Sequence, residues 1–266
     1  DDATLRPEDN LEEFQAVTDH DLDFWKSQLE SLDYSGKAVI ASFGGTALGD
    51  IALVPGLQLK NPRGIRGVEE WYVSTVTREE FIRNLFDRQT DIALENLKRI
   101  YGVIGDRIDA VFICGTDFGT QDSTFCSPET FSRVWMPYYR KVNDWIHDNT
   151  GWKTFKHSCG AIESFMELFI ESGFDIINPV QINASGMDPK MLKKKYGGRI
   201  VFWGGGVDTQ KAFMFGTPSQ VRDQVRQMCD IFNDGGGFVF NTVHNVQANV
   251  PFENVVAMLE ALREIR

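Results

Sequence analysis

Short apolar runs alternate along this chain with stretches whose apolar residues recur every three or four positions. The runs lie at Lys37–Phe43, Ile108–Cys114, Lys153–Cys159, Ile176–Gln181, Ile200–Trp203 and Gly237–Asn241. Short continuous runs bounded by turn residues read as buried strands, and the three-to-four spacing reads as helices. One long helix is predicted over Arg78–Gly102, with Phe81, Leu85, Ile92, Leu94, Leu97 and Ile100 apolar. Another opens at Thr217 and carries Val221, Val225, Met228, Cys229 and Phe232 on one face. Six strand–helix units result, with strands near residues 39, 110, 154, 177, 201 and 239. Strands separated by helices form parallel sheets. Six strands complete an open doubly wound sheet. A (β/α)8 barrel needs two more units, which would precede Asp1 and make the chain a fragment.

The boundaries carry their own chemistry. Asn10 is placed to cap Leu11–Phe14, and Asp21–Leu32 reads as an amphipathic helix. Ser127-Pro128-Glu129 and Thr217-Pro218-Ser219-Gln220 are helix starts, a capping hydroxyl followed by proline in the first turn. The helix from Ser127 is expected to reach about Asn149 and to kink at Pro137. Residues 46–77 show no period and contain Pro55, Pro62, several glycines and Trp71-Tyr72. A stretch of this length without a pattern predicts a lid-like loop over a site.

Composition narrows the class. With 266 residues, 42% of them hydrophobic, the chain can fill one sizeable core, so one domain over 1–266 is expected. No run of 18 apolar residues is present, so no membrane partner is expected. The net charge of −11 argues against nucleic acid, which needs a basic face. Cysteines stand at 114, 126, 159 and 229 without a C-x-x-C pair. That usage suits a reducing compartment, and a cytoplasmic location is expected. The chain opens Asp1-Asp2 without methionine, which leaves a removed leader open.

Candidate chemistry starts at Lys153-Thr154-Phe155-Lys156-His157-Ser158-Cys159-Gly160. In a strand, alternate residues share a face, so His157 and Cys159 present an imidazole and a thiol side by side. Both are zinc-prone ligands. Alone, the pair is weak evidence for a metal, and a packed histidine beside a buried cysteine describes it more readily. Other polar groups also gather at C-terminal strand ends: Cys114–Gln121, Asn178–Gln181, Gly205–Asp208 and Asn241–Asn245. Ligand sites of parallel α/β folds lie at that end. Glycine, aspartate and asparagine also make turns and caps there. Turn chemistry does not account for Gln121, His157, Cys159, Gln181 and His244 together.

The ordered motifs Asp117-Phe118-Gly119-Thr120-Gln121-Asp122, Ser127–Phe131, His157–Gly160, Gly173–Gln181, Gly204–Asp208, His244–Gln247 and Val250–Asn254 resemble the uroporphyrinogen decarboxylase superfamily. That superfamily also contains zinc- and corrinoid-linked methyltransferases. The resemblance runs from about residue 78 to the end. It implies a (β/α)8 TIM-type barrel lacking its N-terminal strand–helix units in this chain. It also implies an enzyme, with methyl transfer expected ahead of decarboxylation of a tetrapyrrole or a non-catalytic binding role. The methyltransferase branch carries H-x-C plus a third cysteine near the last strand, all on zinc. His157 and Cys159 match the first two, while the third position reads Phe240–Asn245. His244 is the expected stand-in, Cys114 the second choice, and Cys229 is expected in the core. The resemblance further implies Asp117 and His244 as catalytic groups. Gln121, Gln181, Asp208, Asn178 and Trp71 would contact substrate. A corrinoid on a partner protein would donate the methyl group, and a homo-oligomer or an upstream segment would complete the barrel.

Overall fold

The computed structural model describes residues 5–11, 14–32, 36–43 and 47–265. Helices and parallel strands alternate, and the chain clusters into two compact units.

The first unit comprises Asp1–Asp117, Cys126–Lys156 and Glu171–Phe174. Its strands are β1 (Ile40–Ala41), β2 (Ala110–Cys114) and β3 (Lys153–His157, of which His157 falls in the second unit). β1 pairs with β2 and β2 with β3, all parallel, with a register shift between Phe112 and Cys114. Helix α1 (Asp19–Ser31) starts two residues before its expected position because Thr18 and Asp21 form a reciprocal capping box. Residues 12 and 13 of the predicted Leu11–Phe14 helix lie outside the described residues. Asn10 ends a 3-10 turn instead, and its amide both accepts from Ile65 N and donates to Ile65 O.

The expected loop 46–77 ends early. Val68–Thr77 forms α2, which buries Trp71, Ser74 and Thr75 on one face. The β-branched residues that obscured its period are accommodated because Ser74 and Thr75 hydroxyls bond back to the carbonyls of Glu70 and Tyr72. Helix α3 (Glu79–Ile104) follows. The long helix predicted after Ser127 is two helices, α4 (Pro128–Val134) and α5 (Met136–Asn149), so Pro137 does not kink a continuous helix. Pro137 sits in the first turn of α5, where its missing N–H costs nothing. The junction residue Trp135 is buried, with its indole donating to Leu48 O at 3.0 Å. Phe86 packs against Trp71, Trp135 and Tyr138 at the centre of this unit.

The second unit comprises Phe118–Phe125, His157–Ile170 and Asp175–Arg266. It holds α6 (Met166–Glu171, of which Glu171 belongs to the first unit), β4 (Ile176–Asn178), α7 (Pro189–Tyr196), β5 (Val201–Trp203), α8 (Ala212–Phe215), α9 (Pro218–Phe232), β6 (Phe238–Val239) and α10 (Phe252–Ile265). β4, β5 and β6 are parallel and paired in chain order. The face predicted for α9 is buried, and Val221, Val225 and Cys229 pack against Val207, Phe213, Ala257 and Ala261. Helix α8, one turn long, has no signature in the sequence; in the turn before it, Asp208 Oδ1 accepts from Gln210 N and Lys211 N. Among the described residues, no helix is long and apolar enough to cross a membrane.

Candidate functional site

The turn after β3 carries the most chemistry in the second unit. The strand ends at His157, so Cys159 lies in the turn rather than on the strand. The two side chains nonetheless meet, with Cys159 Sγ 3.3 Å from His157 Nε2. The turn is held from several directions. Ser158 N donates to Asn178 O at 2.8 Å, and the buried Ser158 hydroxyl accepts from Phe118 N at 3.0 Å. Gly160 N donates to Gln181 Oε1, and Ala161 N donates to Thr120 O, both at 2.8 Å.

Two glycines make this packing feasible. Gly160 has φ +88°, and a Cβ there would lie 2.4 Å from the carbonyl carbon of Gly119. A Cβ on Gly119 would in turn lie 2.7 Å from Ala161 N. Backbone therefore rests directly on backbone at this point, an approach only glycine permits.

Hydrogen bonding fixes the protonation pattern of His157. Asn178 Nδ2 donates to Trp203 O at 3.0 Å, which orients the amide so that Oδ1 faces His157 Nδ1 at 2.8 Å. Nδ1 must then carry the proton. In the neutral ring Nε2 keeps its lone pair, turned toward the Cys159 sulfur. This is the arrangement found behind metal-bound histidines, in which the outer ring nitrogen donates to a fixed acceptor.

The remaining expected residues divide by role. Gln181 Nε2 donates to Gln121 Oε1 at 2.9 Å, and Gln121 Nε2 donates to Asn183 O at 2.5 Å. Both glutamines thus brace the loops around the turn. Asp208 is buried; besides the turn bonds to Gln210 N and Lys211 N, its Oδ1 accepts from Asn183 Nδ2 at 2.9 Å. His244 is exposed in the segment after β6, with its carbonyl accepting from the Thr242 hydroxyl.

In the first unit, Asp117 is the last residue of the segment leaving β2, and Tyr72 Oη donates to its carbonyl at 2.5 Å. Burial, then the charge of Asp117, raises the Tyr72 hydroxyl pKa, so it remains a donor. Trp71, expected at a pocket mouth, is 1% exposed and packs 6.2 Å from Phe86 in the core of this unit. Cys114 is buried with Sγ 3.2 Å from Tyr139 Oη, and Cys229 is buried in the second unit's core.

Sequence reasoning missed Ser158, Asn183 and Lys156 as site-supporting residues. Ser158 and Lys156 had a visible signal, because polar residues at alternate positions of an apolar strand need buried partners. Asn183 had none.

A solved methyltransferase from Methanosarcina mazei shares the fold, with a TM-score of 0.63 and 15% identity over 92% of this chain and 63% of its own. A curated uroporphyrinogen decarboxylase from Psychromonas ingrahamii is 29% identical over 79 residues. One from Legionella pneumophila strain Lens is 32% identical over 78 residues. Those stretches cover 30% and 29% of this chain but only 22% and 21% of the two relatives. The family model described as uroporphyrinogen decarboxylase (URO-D) matches residues 60–265, most of the chain. The chain belongs to the uroporphyrinogen decarboxylase family.

Proposed function

We propose that this chain is a zinc-dependent methyltransferase that moves a methyl group from a corrinoid, held by a partner protein, to a thiol or comparable acceptor. The observation that carries this reading is the His157–Cys159 pair with Nε2 presented by Asn178. The fold shared with a methyltransferase supports it.

The residues fit zinc. With Zn–N and Zn–S distances of about 2.0 and 2.3 Å, two tetrahedral ligands lie about 3.6 Å apart. His157 Nε2 and Cys159 Sγ are 3.3 Å apart, so small side-chain adjustments reach that spacing. His157 and Cys159 supply nitrogen and sulfur donors of the kinds zinc takes. Two protein ligands leave room on the metal for an incoming thiol.

Zinc bound there would acidify an incoming thiol and hold it as the nucleophilic thiolate. The chain's own contributions are geometric. Asn178 holds the His157 tautomer, Ser158 ties the turn to Phe118, and Gln121 and Gln181 brace the loops beside it. A second reading, decarboxylation of a porphyrinogen, is favoured by the names of the curated relatives. It requires no metal.

The deciding measurement is the zinc content of the purified protein beside Cys159→Ala, followed by thiol methylation from a methylcorrinoid. About one zinc per chain, lost in the variant, is expected. A parent that takes up no zinc under reducing conditions overturns the metal reading and leaves decarboxylation.

A further inference from the structure

A small cavity lies within the first unit, walled by the N-terminal turn, the loop at Gly49–Asp50 and helices α2 and α3. Its volume is about 10 Å³, the size of a single water molecule. Most polar groups on its wall are engaged. Asn10 spends its amide on both backbone atoms of Ile65. The Asp50 carboxylate accepts from Ala52 N at 2.8 Å and from Gly115 N at 3.1 Å. Arg66 donates to the carbonyls of Asp9, Val54 and Arg63.

Two atoms on the wall are not engaged. Trp71 is 1% exposed and Gln89 2% exposed, and neither Trp71 Nε1 nor Gln89 Oε1 has a hydrogen-bond partner among the described residues. A buried donor or acceptor left unpaired is costly and rare. Gly49, at φ +84°, keeps the indole nitrogen clear, because a Cβ there would lie 2.8 Å from Trp71 Nε1. The indole N–H only donates, and the amide oxygen only accepts. An occupant must therefore accept from the first, donate to the second and be about one heavy atom in size. Ammonium has no lone pair to accept with, and a halide has no proton to donate. Water has both.

We propose that this cavity is the site of one structural water, which accepts from Trp71 Nε1 and donates to Gln89 Oε1. Buried waters make about three hydrogen bonds. The Asp50 carboxylate, on the same wall, is the acceptor for the second proton, since each carboxylate oxygen can accept more than one bond. The water joins helix α2 to helix α3 and to the loop that holds Gly115 through Asp50. The site is independent of the metal reading, because all of its residues lie in the first unit.

The test reads magnetisation transfer between water and the tryptophan indole protons of the full chain, labelled with nitrogen-15. Trp71→Phe assigns the Trp71 signal. A water held for longer than molecular tumbling is expected to give the Trp71 Nε1 proton a cross-peak that changes sign between the laboratory-frame and rotating-frame experiments. Simple proton exchange with solvent does not change sign. Gln89→Met removes the acceptor and is expected to abolish the cross-peak. A crystal structure of the parent is expected to show an ordered water within about 3.2 Å of both atoms. A parent without a sign-changing cross-peak overturns the proposal. So does a cross-peak that survives undiminished in Gln89→Met, which would arise from a nearby exchanging hydroxyl. Electron density in which Trp71 Nε1 bonds a protein acceptor directly, with no water between, overturns it as well. The two measurements on the parent decide the matter even if a variant does not fold.

Discussion

Replacing Asn178 by leucine isolates the feature on which the metal reading depends. Leucine has the same branched heavy-atom skeleton, with methyl groups in place of the amide oxygen and nitrogen. Two hydrogen bonds disappear: the 2.8 Å contact to His157 Nδ1 and the 3.0 Å contact to Trp203 O. A buried carbonyl that loses its donor costs about 1–3 kcal/mol, so a stability loss in that range is expected. The larger consequence falls on His157. Without its acceptor the ring can carry the proton on Nε2, the atom that faces Cys159, and can rotate. Losses of this kind weaken metal affinity about 10- to 100-fold, or about 1.4–2.8 kcal/mol. The assay pairs zinc competition with nitrogen-15 NMR of the histidine rings, which reads the tautomer directly. Asn178→Asp keeps an acceptor and should restore most of the affinity. If Asn178→Leu binds zinc as tightly as the parent while His157→Ala does not, the proposed orientation of His157 is refuted.

Three further predictions follow from the site and its surroundings. Gly160→Ala places a Cβ against the Gly119 backbone at a φ of +88°, and should cost about 2 kcal/mol or more in denaturant unfolding; a loss below about 0.5 kcal/mol would show that the two loops separate easily. Iodoacetamide near neutral pH should label Cys159 first, with zinc protecting it, because Cys114 and Cys229 are buried and burial pushes the Cys126 thiol up to about 12; mass spectrometry that finds another cysteine labelled first contradicts this. The same shift makes stability pH-dependent: the ordinary thiol pKa is about 8.5, so between about 8.5 and 12 the folded chain holds a proton that the unfolded chain releases. Stability is therefore full below that window and falls as pH rises through it. Cys126→Ala should flatten the decline of Tm between about pH 8.5 and 10, before unfolded tyrosines titrate. An unchanged slope would refute the assignment to Cys126.

The sequence revealed the elements whose signal was local. The apolar face of α9 and the caps at Thr217 and Ser127 could be read directly, because periodicity and capping depend on residues within one or two turns. Helix α2 was hidden because Ser74, Thr75 and Thr77 lower helix propensity, and its stability comes from burying Trp71. The break between α4 and α5 was misplaced because a proline in a long pattern reads equally as a kink or as a first turn. At the site, His157 and Cys159 were visible as a pair of ligand-type residues two apart. Gln121 and Gln181 looked like substrate contacts, yet their amides are engaged with each other, with Gly160 N and with Asn183 O. Polar residues at strand ends are ambiguous in this way, since bracing a loop and binding a ligand require the same groups.

That ambiguity has a physical resolution in this chain. Bracing and acting differ in which atoms are engaged and by what. Asp208 Oδ1 accepts from three N–H donors of the loops around it. In His157, Nδ1 is held by Asn178 Oδ1, and Nε2 faces the Cys159 thiol, a weak donor, across 3.3 Å. An S–H there could occupy the lone pair in the metal-free protein, and deprotonation of that thiol on metal binding would release it. The same contact can therefore hold the pair in register before the metal arrives and yield without rearrangement when it does. This is why substitutions at Asn178, which bonds the ring of His157 rather than supplying a ligand atom, are the more informative probes of the site than removal of the ligands themselves.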